Sequence, residues 1–264
     1  MNAMNLHDTP PSPLLLALES RSVLEMAAFF SAWPWLRQAP RGDGHPVLVL
    51  PGLTAGDWST QALRAYLAAQ GYVPYGWGQG PNRGPRPGVE AKMRAQLDEI
   101  AQRHGRKVSL IGWSLGGLYA RELAWDATDR VRAVITLGSM FAGGPNATNV
   151  RPVYEALSGR RIEDLPARRP LPPPVPSTAI YSRSDGIVAW EGCREQPSPT
   201  TENIEVHASH SGLGHHPAAL YAIADRLAQP EGHWQPFRRD GLRAYLYPDP
   251  DRPAQARLGS AQPA

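Results

Sequence analysis

The chain has 264 residues, of which 42% are hydrophobic, and a formal net charge of +3. This length suits one domain with a substantial buried core. The mild charge, with arginines scattered along the sequence, argues against nucleic acid as the main partner. The single cysteine, Cys193, has no intramolecular partner for a disulfide and is interpreted as a buried structural residue.

The N-terminal segment, residues 1–44, carries apolar side chains at helical spacing over residues 14 to 30, and Pro34 ends the pattern. It is interpreted as an accessory helix packed on the core; a flap over a site or a helix on a membrane surface is the alternative. No basic stretch precedes the apolar run Leu14–Leu18, so a signal peptide is not predicted. No uncharged apolar stretch approaches the span of a bilayer, so no integral membrane segment and a cytoplasmic location are expected.

Strand-like and helix-like segments alternate over about residues 45 to 229, which form the predicted core. This alternation predicts an α/β fold with a doubly wound, mostly parallel sheet. The predicted strands are 46–50, 73–77, 108–111, 131–137, 178–181 and 203–206, and the predicted helices are near 59–70, 89–104, directly after residue 114, and 217–228.

Residues 141 to 176 interrupt the alternation with a Gly-Gly-Pro turn, an arginine-rich stretch and the proline-rich run 170–176. Two interpretations stay open: a small cap or lid insertion on a stiff strap, or a long surface connection. The extension 230–264 is rich in Pro, Arg and Ala and carries no functional signal. The chain is therefore predicted as a single domain, 1–264, with one insertion.

The segment Gly112–Gly117 places a serine between a predicted strand and a predicted helix. Gly112 and Gly116 flank Ser114 at the positions where a sharp strand-to-helix turn needs small residues. Ser114 is therefore predicted to be a nucleophile, with the first N–H groups of the helix directed at the same space. A bare motif of this kind also occurs as an ordinary turn into a helix.

A serine nucleophile needs an imidazole base and an acid that orients the base. Asp185 follows the predicted strand 178–181 and is the candidate acid, although Asp-Gly is also a common turn pair. Glu191 and Glu195 are substitutes further from the end of that strand. His210 lies in a loop of small residues after the next strand, at the edge where such folds place reacting groups, and is the candidate base.

Three more histidines lie close to His210 in the sequence. His207 is assigned to the preceding strand, whereas His215 and His216 adjoin Pro217, where they line the pocket or cap the last helix. A zinc site made of these imidazoles is the other interpretation. No ligand spacing such as H-E-x-x-H occurs, so no metal is predicted.

The loop Leu50–Thr54 follows the first core strand and is the candidate for the second half of an oxyanion hole. Gly52 allows the backbone to approach a substrate closely. The N–H of Leu53 is therefore expected to act together with that of Leu115 on a tetrahedral oxygen.

Aromatic residues near the serine are candidates for substrate contacts. Trp113 adjoins the nucleophile, and Trp77 and Thr54 are assigned to the same binding surface. The glycine-rich stretch 76–85 lacks the Lys-Ser/Thr ending of a phosphate-binding loop and is interpreted as an ordered surface loop near the site.

Four segments together resemble the α/β-hydrolase family over about residues 45 to 229, most closely its bacterial esterase and lipase branches: Val47–Leu53, Gly112–Gly117, Tyr181–Gly186 and Ser209–Leu213. The resemblance implies the α/β-hydrolase fold, Ser114 as nucleophile, Asp185 as acid, His210 as base, and no cofactor. Pro51 departs from the family pattern, because many relatives carry histidine before the oxyanion glycine.

The expected function is hydrolysis of carboxylic esters through an acyl-enzyme on Ser114. The enzyme would be an esterase or lipase acting on small-molecule or lipid esters and, by extension, on polyesters. An acyltransferase, amidase or lactonase would use the same three residues. A non-catalytic binding module on the same fold is the alternative of another class, and the sequence leaves the oligomeric state open.

Overall fold

The computed structural model describes residues 8–164, 169, 171–241 and 243–251. Six parallel strands form one sheet in the order β2-β1-β3-β4-β5-β6, which confirms the predicted α/β fold with its doubly wound parallel sheet. The strands are β1 Pro46–Leu50, β2 Val73–Tyr75, β3 Val108–Trp113, β4 Val131–Leu137, β5 Ser177–Tyr181 and β6 Thr201–Glu205. The α-helices in the described residues are α1 Pro13–Ala17, α2 Ser22–Ser31, α3 Trp33–Leu36, α4 Gln61–Ala69, α5 Val89–His104, α6 Leu115–Asp126, α7 Arg151–Ser158, α8 Pro217–Leu227 and α9 Arg243–Leu246.

The order of the strands reverses between β1 and β3. From β1 the chain passes to β2 on one side, then crosses back to β3 on the other side. In open parallel sheets, a crevice forms outside the carboxyl ends of the strands at such a reversal. Leu50 of β1 pairs with Gly112 of β3, so the loops that follow these two strands emerge side by side at that crevice.

Both faces of the sheet are covered by helices. Successive side chains of a strand point to opposite faces, so alternate residues of β1 belong to different clusters. Val47 and Val49 join a core cluster with residues of α4 and α8, whereas Leu48 and Leu50 join a second cluster with residues of α5 and α6. All four side chains are fully buried. Burial on both faces explains why the central strands are nearly continuous apolar runs.

Four strands have different bounds from those predicted; β5 begins at Ser177 instead of residue 178, and β6 begins at Thr201 instead of residue 203. β3 continues to Trp113 because Gly112 and Trp113 pair with Thr136 and Leu137 of β4. β2 ends at Tyr75 instead of residue 77, and β6 ends at Glu205 instead of residue 206. The assignment of His207 to the last strand was therefore wrong, and its side chain is exposed.

The N-terminal segment is not one helix over 14 to 30. It consists of α1, one turn of 3-10 helix over Leu18–Arg21, α2 and α3. Pro34 does not end the helical region; it lies in the first turn of α3, where its missing N–H has no intrahelical partner in any case. Phe29 and Leu36 are buried in the core, so this segment packs on the body of the protein.

The insertion contains α7 and a 3-10 turn over Ile162–Asp164 between irregular loops. Part of it, residues 165–168 and 170, lies outside the described residues, and so does the end of the C-terminal extension from residue 252. The described part of that extension packs on α8: Tyr247 is buried and donates its hydroxyl to the carbonyl oxygen of Ala218 at 2.9 Å. None of the helices described is long and apolar enough to cross a membrane.

Candidate active site

Ser114 stands between the end of β3 and the start of α6. Its backbone has φ 52° and ψ −121°, a conformation that costs a residue with a side chain on the order of 1–3 kcal/mol. The glycines around it are sterically required: a Cβ on Gly112 would clash with the backbone of Gly116 and Gly117, and a Cβ on Gly116 would clash with the carbonyl of Leu50. The predicted strand, the sharp turn at Ser114, called the elbow, and the helix are thus present.

The loop after β1 lies directly against Ser114. An ideal Cβ on Gly52 would stand 3.2 Å from the Cβ of Ser114, so the two backbones are close. Leu53 and Leu115 both line a cavity that also contains Ser114. Because Leu115 begins α6, its N–H is among the first four of the helix, which have no intrahelical acceptor. Both residues therefore border the same cavity as the serine.

Asp185 and His210 meet at the same edge of the sheet. Asp185 lies in the loop after β5, called the acid loop, and His210 lies in the loop after β6, called the histidine loop. The Oδ2 atom of Asp185 lies 2.6 Å from Nδ1 of His210. The other carboxylate oxygen accepts the N–H groups of Ile187 at 2.8 Å and Val188 at 2.9 Å. With Nδ1 donating to Asp185, neutral His210 keeps Nε2 as its proton acceptor.

Both members of this pair are buried, Asp185 at 3% exposure and His210 at 7%. Burial lowers the pKa of His210, but the charge of Asp185, the hydrogen bond to it and the charge of Glu19 outweigh that effect, so the pKa lies above its ordinary value. Gly138, after β4, passes beside the pair; a Cβ there would stand 3.0 Å from Nδ1 of His210. The loops after β4, β5 and β6 therefore converge on one imidazole.

The other histidines do not join this pair. His215 is buried and its Nε2 donates to the carbonyl oxygen of Ser22 at 3.1 Å, and burial lowers its pKa. His216 is the residue preceding α8, with a pKa also lowered by burial. In the described residues no three His, Cys, Asp or Glu side chains come together in a way that could hold a metal ion.

The substitute acids also lie elsewhere. Glu195 is buried against Arg121 and accepts the hydroxyl of Ser177 at 2.7 Å. Glu191 belongs to a 3-10 turn, Trp190–Cys193, after the acid loop. Of the three acids considered from the sequence, Asp185 is the one hydrogen-bonded to His210.

The cavity at Ser114 has a volume of about 540 Å³, within the range typical of small-molecule sites. Its walls are mainly apolar. One side comes from the core elements through Leu53, Leu115, Leu118 and Val188, and the other from the insertion through Phe141, Val150, Tyr154 and Ile162. Residues of this insertion thus supply one wall of the cavity.

The three predicted substrate contacts are not among the described residues that line this cavity. Trp113 is 8% exposed and Trp77 is 1% exposed; both side chains fill the core. Thr54 is exposed, with φ 65°, and its N–H donates to the carbonyl oxygen of Asn82 at 2.7 Å. These residues shape the elbow and the neighbouring loops, and the structure gives no reason to assign them to the substrate.

Two features were missed by reasoning from the sequence. Asn82, in the glycine-rich stretch, is fully buried and its Nδ2 donates to the carbonyl oxygen of Pro51 at 2.9 Å, which braces the loop of Leu53. Glu19 and Glu25 of the N-terminal segment accept hydrogen bonds from the backbone of the histidine loop. Acidic residues on the predicted accessory helix gave no signal of these contacts.

A parallel sheet with a reversal of strand order, and a serine on a strained turn at that reversal, define the architecture of an α/β hydrolase. The model of the Alpha/beta hydrolase family matches residues 47–258, and this chain belongs to that family.

Solved structures share the fold at low identity. A lipase B from Aspergillus fumigatus is 19% identical with a TM-score of 0.56, and the match covers 72% of this chain and 54% of that chain, little more than half its length. A monoacylglycerol lipase from Paleococcus ferrophilus is 18% identical with a TM-score of 0.50, and the match covers 70% of this chain and 97% of that one. At this identity the likeness concerns the fold alone.

Proposed function

We propose that this protein hydrolyses carboxylic esters, with Ser114 as nucleophile, His210 as base and Asp185 as the acid that orients the base. The observation that carries the proposal is a serine in a strained turn, lining an apolar cavity, at the sheet edge where a buried Asp185–His210 hydrogen bond also lies. A binding module would need neither the strain at Ser114 nor a buried carboxylate on the imidazole.

The first half of the reaction forms an acyl-enzyme. Nε2 of His210 takes the proton of the Ser114 hydroxyl as its oxygen bonds to the ester carbonyl carbon. The N–H groups of Leu53 and Leu115 donate to the oxyanion that forms. The bond to the leaving oxygen then breaks, and His210 gives its proton to the departing alcohol.

The second half repeats these steps with water in place of the serine hydroxyl. His210 takes a proton from water as the water oxygen bonds to the acyl carbon. The bond between the acyl carbon and the Ser114 oxygen then breaks, His210 returns the proton to that oxygen, and the acid leaves. Asp185 stays ionised throughout, and it holds the imidazole in one tautomer and stabilises the imidazolium.

The walls of the cavity favour an apolar acyl group. Leu118, Phe141, Val188 and Ile162 offer apolar surface close to Ser114, and burying such surface contributes about 25 cal/mol per Å². The two lipases that share the fold are named for lipid esters, which agrees with this preference. A medium-length acyl ester is therefore the substrate class proposed.

The test is a series of p-nitrophenyl esters from acetate to palmitate, with the wild type and Ser114→Ala, together with labelling by a fluorophosphonate. Hydrolysis that is abolished in Ser114→Ala, and labelling confined to the wild type, would support the proposal. Full turnover by Ser114→Ala would exclude it. Adding a competing alcohol or amine separates an acyltransferase from a hydrolase by its products.

The base is tested with a matched pair of variants. His210→Ala should abolish turnover, whereas His215→Ala removes an equally buried imidazole whose ring donates to Ser22 instead. His215→Ala should lose stability and keep most of its turnover per folded molecule. The opposite result would assign the base to His215.

A further inference from the structure

Glu19 contacts the loops of both the proposed acid and the proposed base. It lies in the 3-10 turn between α1 and α2 and is 9% exposed. Its Oε1 accepts the N–H of Gly186 at 2.9 Å and the N–H of His210 at 2.9 Å. Its Oε2 accepts the N–H of Ser211 at 2.8 Å. One carboxylate therefore joins two loops that come from different strands.

The acid loop is held to the N-terminal segment on both sides of Asp185. On one side, Nη2 of Arg21 donates to the carbonyl oxygen of Ser184 at 2.7 Å and to its hydroxyl at 2.9 Å. On the other side, a Cβ on Gly186 would clash with the carbonyl oxygen of Leu15. The backbone of the segment thus lies directly on this loop.

The histidine loop is held in the same way. Glu25, on α2, accepts the N–H of Ser209 at 2.8 Å through Oε1 and its hydroxyl through Oε2. Together with the bonds to Glu19, three consecutive backbone N–H groups, those of Ser209, His210 and Ser211, donate to carboxylates of the N-terminal segment.

The carboxylate of Glu19 is ionised at neutral pH. Burial raises its pKa, but the backbone N–H groups of Ser211, Gly186 and His210 outweigh the burial, so the pKa lies below its ordinary value. Hydrogen bonds to an ionised acceptor are shorter and stronger than those between neutral groups. Glu19 therefore holds the two loops with charge-assisted bonds.

We propose that Glu19 is a positioning residue for catalysis: its carboxylate fixes the distance between the loop of Asp185 and the loop of His210. Glu19 does not line the cavity at Ser114, so the proposed role involves no contact with substrate. This inference rests on the proposed function, because it concerns the alignment of the same acid and base. Misplacing a reacting group by about 1 Å can cost on the order of 100-fold in rate.

The charge of Glu19 also acts on His210. The charges that act on His210 are those of Asp185 in the acid loop and Glu19 in the 3-10 turn. Arg21 and Glu25, on the same segment as Glu19, form an ion pair of 3.4 Å with each other. Replacing Glu19 by glutamine removes one of the negative charges that favour the imidazolium. The acidic limb of the pH–rate profile should therefore move to lower pH in Glu19→Gln.

The experiment compares Glu19→Ala, Glu19→Gln and the wild type in the full chain. Fluorophosphonate labelling of Ser114 gives the number of active sites and the rate at which the serine reacts, and p-nitrophenyl butyrate gives kcat and KM per labelled site. We expect labelling rate and kcat to fall about 10- to 100-fold in Glu19→Ala with little change in KM. Glu19→Gln keeps one acceptor oxygen and should recover part of the loss.

Glu195→Gln is the matched control, because it makes the same change in another buried carboxylate, one that binds Arg121 and Ser177. It should lose stability and keep the wild-type kcat per labelled site. An equal loss of kcat in Glu195→Gln would overturn the inference, since any buried carboxylate would then have the same effect.

The remaining outcomes are also decisive. If both Glu19 variants react and turn over like the wild type, with an unmoved acidic limb, the inference is wrong while the proposed function stands. If the wild type itself is not labelled at Ser114 and hydrolyses no ester, the proposed function fails and this inference falls with it. If Glu19→Ala does not fold, Glu19→Gln decides, with the pKa of His210 followed by NMR of the imidazole nitrogens.

Discussion

The indole Nε1 of Trp113 donates a hydrogen bond of 3.0 Å to the carbonyl oxygen of His210. Trp113 ends β3 and directly precedes Ser114, so this bond connects the elbow to the loop of the proposed base. The same ring packs edge-to-face on His215, with centroids 6.4 Å apart, and occupies the space that a Cβ on Gly214 would need. Trp113 is thus placed to fix the histidine loop relative to the serine.

Trp113→Phe should lower kcat several-fold and leave KM nearly unchanged. Phenylalanine keeps an aromatic ring but removes the indole donor, so the carbonyl oxygen of His210 keeps only the longer bond from the N–H of Leu213 at 3.4 Å. Loss of one such hydrogen bond costs about 0.5–1.5 kcal/mol of stability. Because an interaction lost only in the transition state lowers kcat and kcat/KM together, kinetics with p-nitrophenyl butyrate and urea unfolding measure both effects. Higher KM at constant kcat would instead restore Trp113 as a substrate contact.

Trp77→Phe is the matched control for that change. Trp77 is also a buried indole, and its Nε1 donates to the carbonyl oxygen of Gly80 at 2.7 Å. Its loss should cost a similar amount of stability without lowering kcat to the same extent.

Asn82→Ala should lower kcat about tenfold or more. Nδ2 of Asn82 holds the carbonyl of Pro51, and its backbone exchanges hydrogen bonds of 2.7 Å with Thr54 and Ala55. Without the side chain, the loop of Leu53 loses this hydrogen bond, and losing one oxyanion donor, the role proposed for the N–H of Leu53, commonly costs on the order of 100-fold or more. Steady-state kinetics on one ester measures the loss.

Asn203→Ala provides the comparison for Asn82. Asn203 braces another loop in the same manner, accepting the N–H of Glu195 at 2.8 Å and donating to its carbonyl at 3.0 Å. It should reduce stability and leave kcat per folded molecule unchanged. Equal kinetic losses in both variants would contradict a specific role for the loop of Leu53.

Activity should fall as pH is lowered through the pKa of His210, which lies above the ordinary value of 6.5. The reason is that only the neutral imidazole accepts the proton of Ser114. The profile of kcat/KM against pH in the wild type measures this pKa. A limb centred below 6.5 would show that burial, which lowers the pKa, outweighs the charge of Asp185.

The same shift affects stability with the opposite sign. A histidine whose pKa is higher in the folded state stabilises the protein fully below its unfolded pKa, about 6.5, and this contribution is lost as pH rises through the folded pKa. The difference in unfolding free energy between the wild type and His210→Gln should therefore shrink as pH rises. A difference that grows with pH would contradict the raised pKa.

His45 should make the protein less stable in mild acid. Its ring is fully buried between Asp43, at 2.6 Å from Nδ1, and the hydroxyl of Ser109, at 2.9 Å from Nε2. Burial is the largest cause of a pKa lowered from 6.5 to about 4. Since the unfolded chain takes up the proton first, stability is present above 6.5 and is lost as pH falls towards 4, by roughly 3 kcal/mol.

Urea unfolding of the wild type and of His45→Gln between pH 4 and 7 isolates that contribution, since the variant has no proton to take up at this position. His104→Gln is the control. That ring is also hydrogen-bonded, to the hydroxyl of Tyr75 at 2.8 Å, but it is only partly buried. Parallel curves for the wild type and His45→Gln would show that His45 is not responsible.

The sheet and the elbow could be predicted because their signals are local. Continuous apolar runs mark strands buried on both faces, and the two glycines around Ser114 stand where the neighbouring backbones leave no room for a Cβ. The loops after β5 and β6 emerge at the same edge of a parallel sheet, so the proximity of Asp185 and His210 could also be predicted from the sequence.

The contacts of Trp113 and Glu19 could not be predicted in the same way. Being next to the nucleophile suggested contact with substrate, but alternation along β3 puts the side chain of Trp113 on the same face as Ile111, in the core. Glu19 forms hydrogen bonds across 167 to 192 residues of sequence. A charged residue on an amphipathic helix is normally expected on its solvated face. Here Val23 and Leu24 are more than 70% exposed, and the carboxylates of Glu19 and Glu25 are buried.

The packing of the N-terminal segment bears on where this protein can be cut. The family match begins at residue 47, beyond Glu19, Glu25 and the buried Phe29 and Leu36. A chain trimmed to the matched range would retain Ser114, yet the amides of the histidine loop would face solvent and an apolar surface of the sheet layer would be uncovered. Expression limits should therefore include the packed N-terminal helices α1 to α3 rather than begin at the limits of the match.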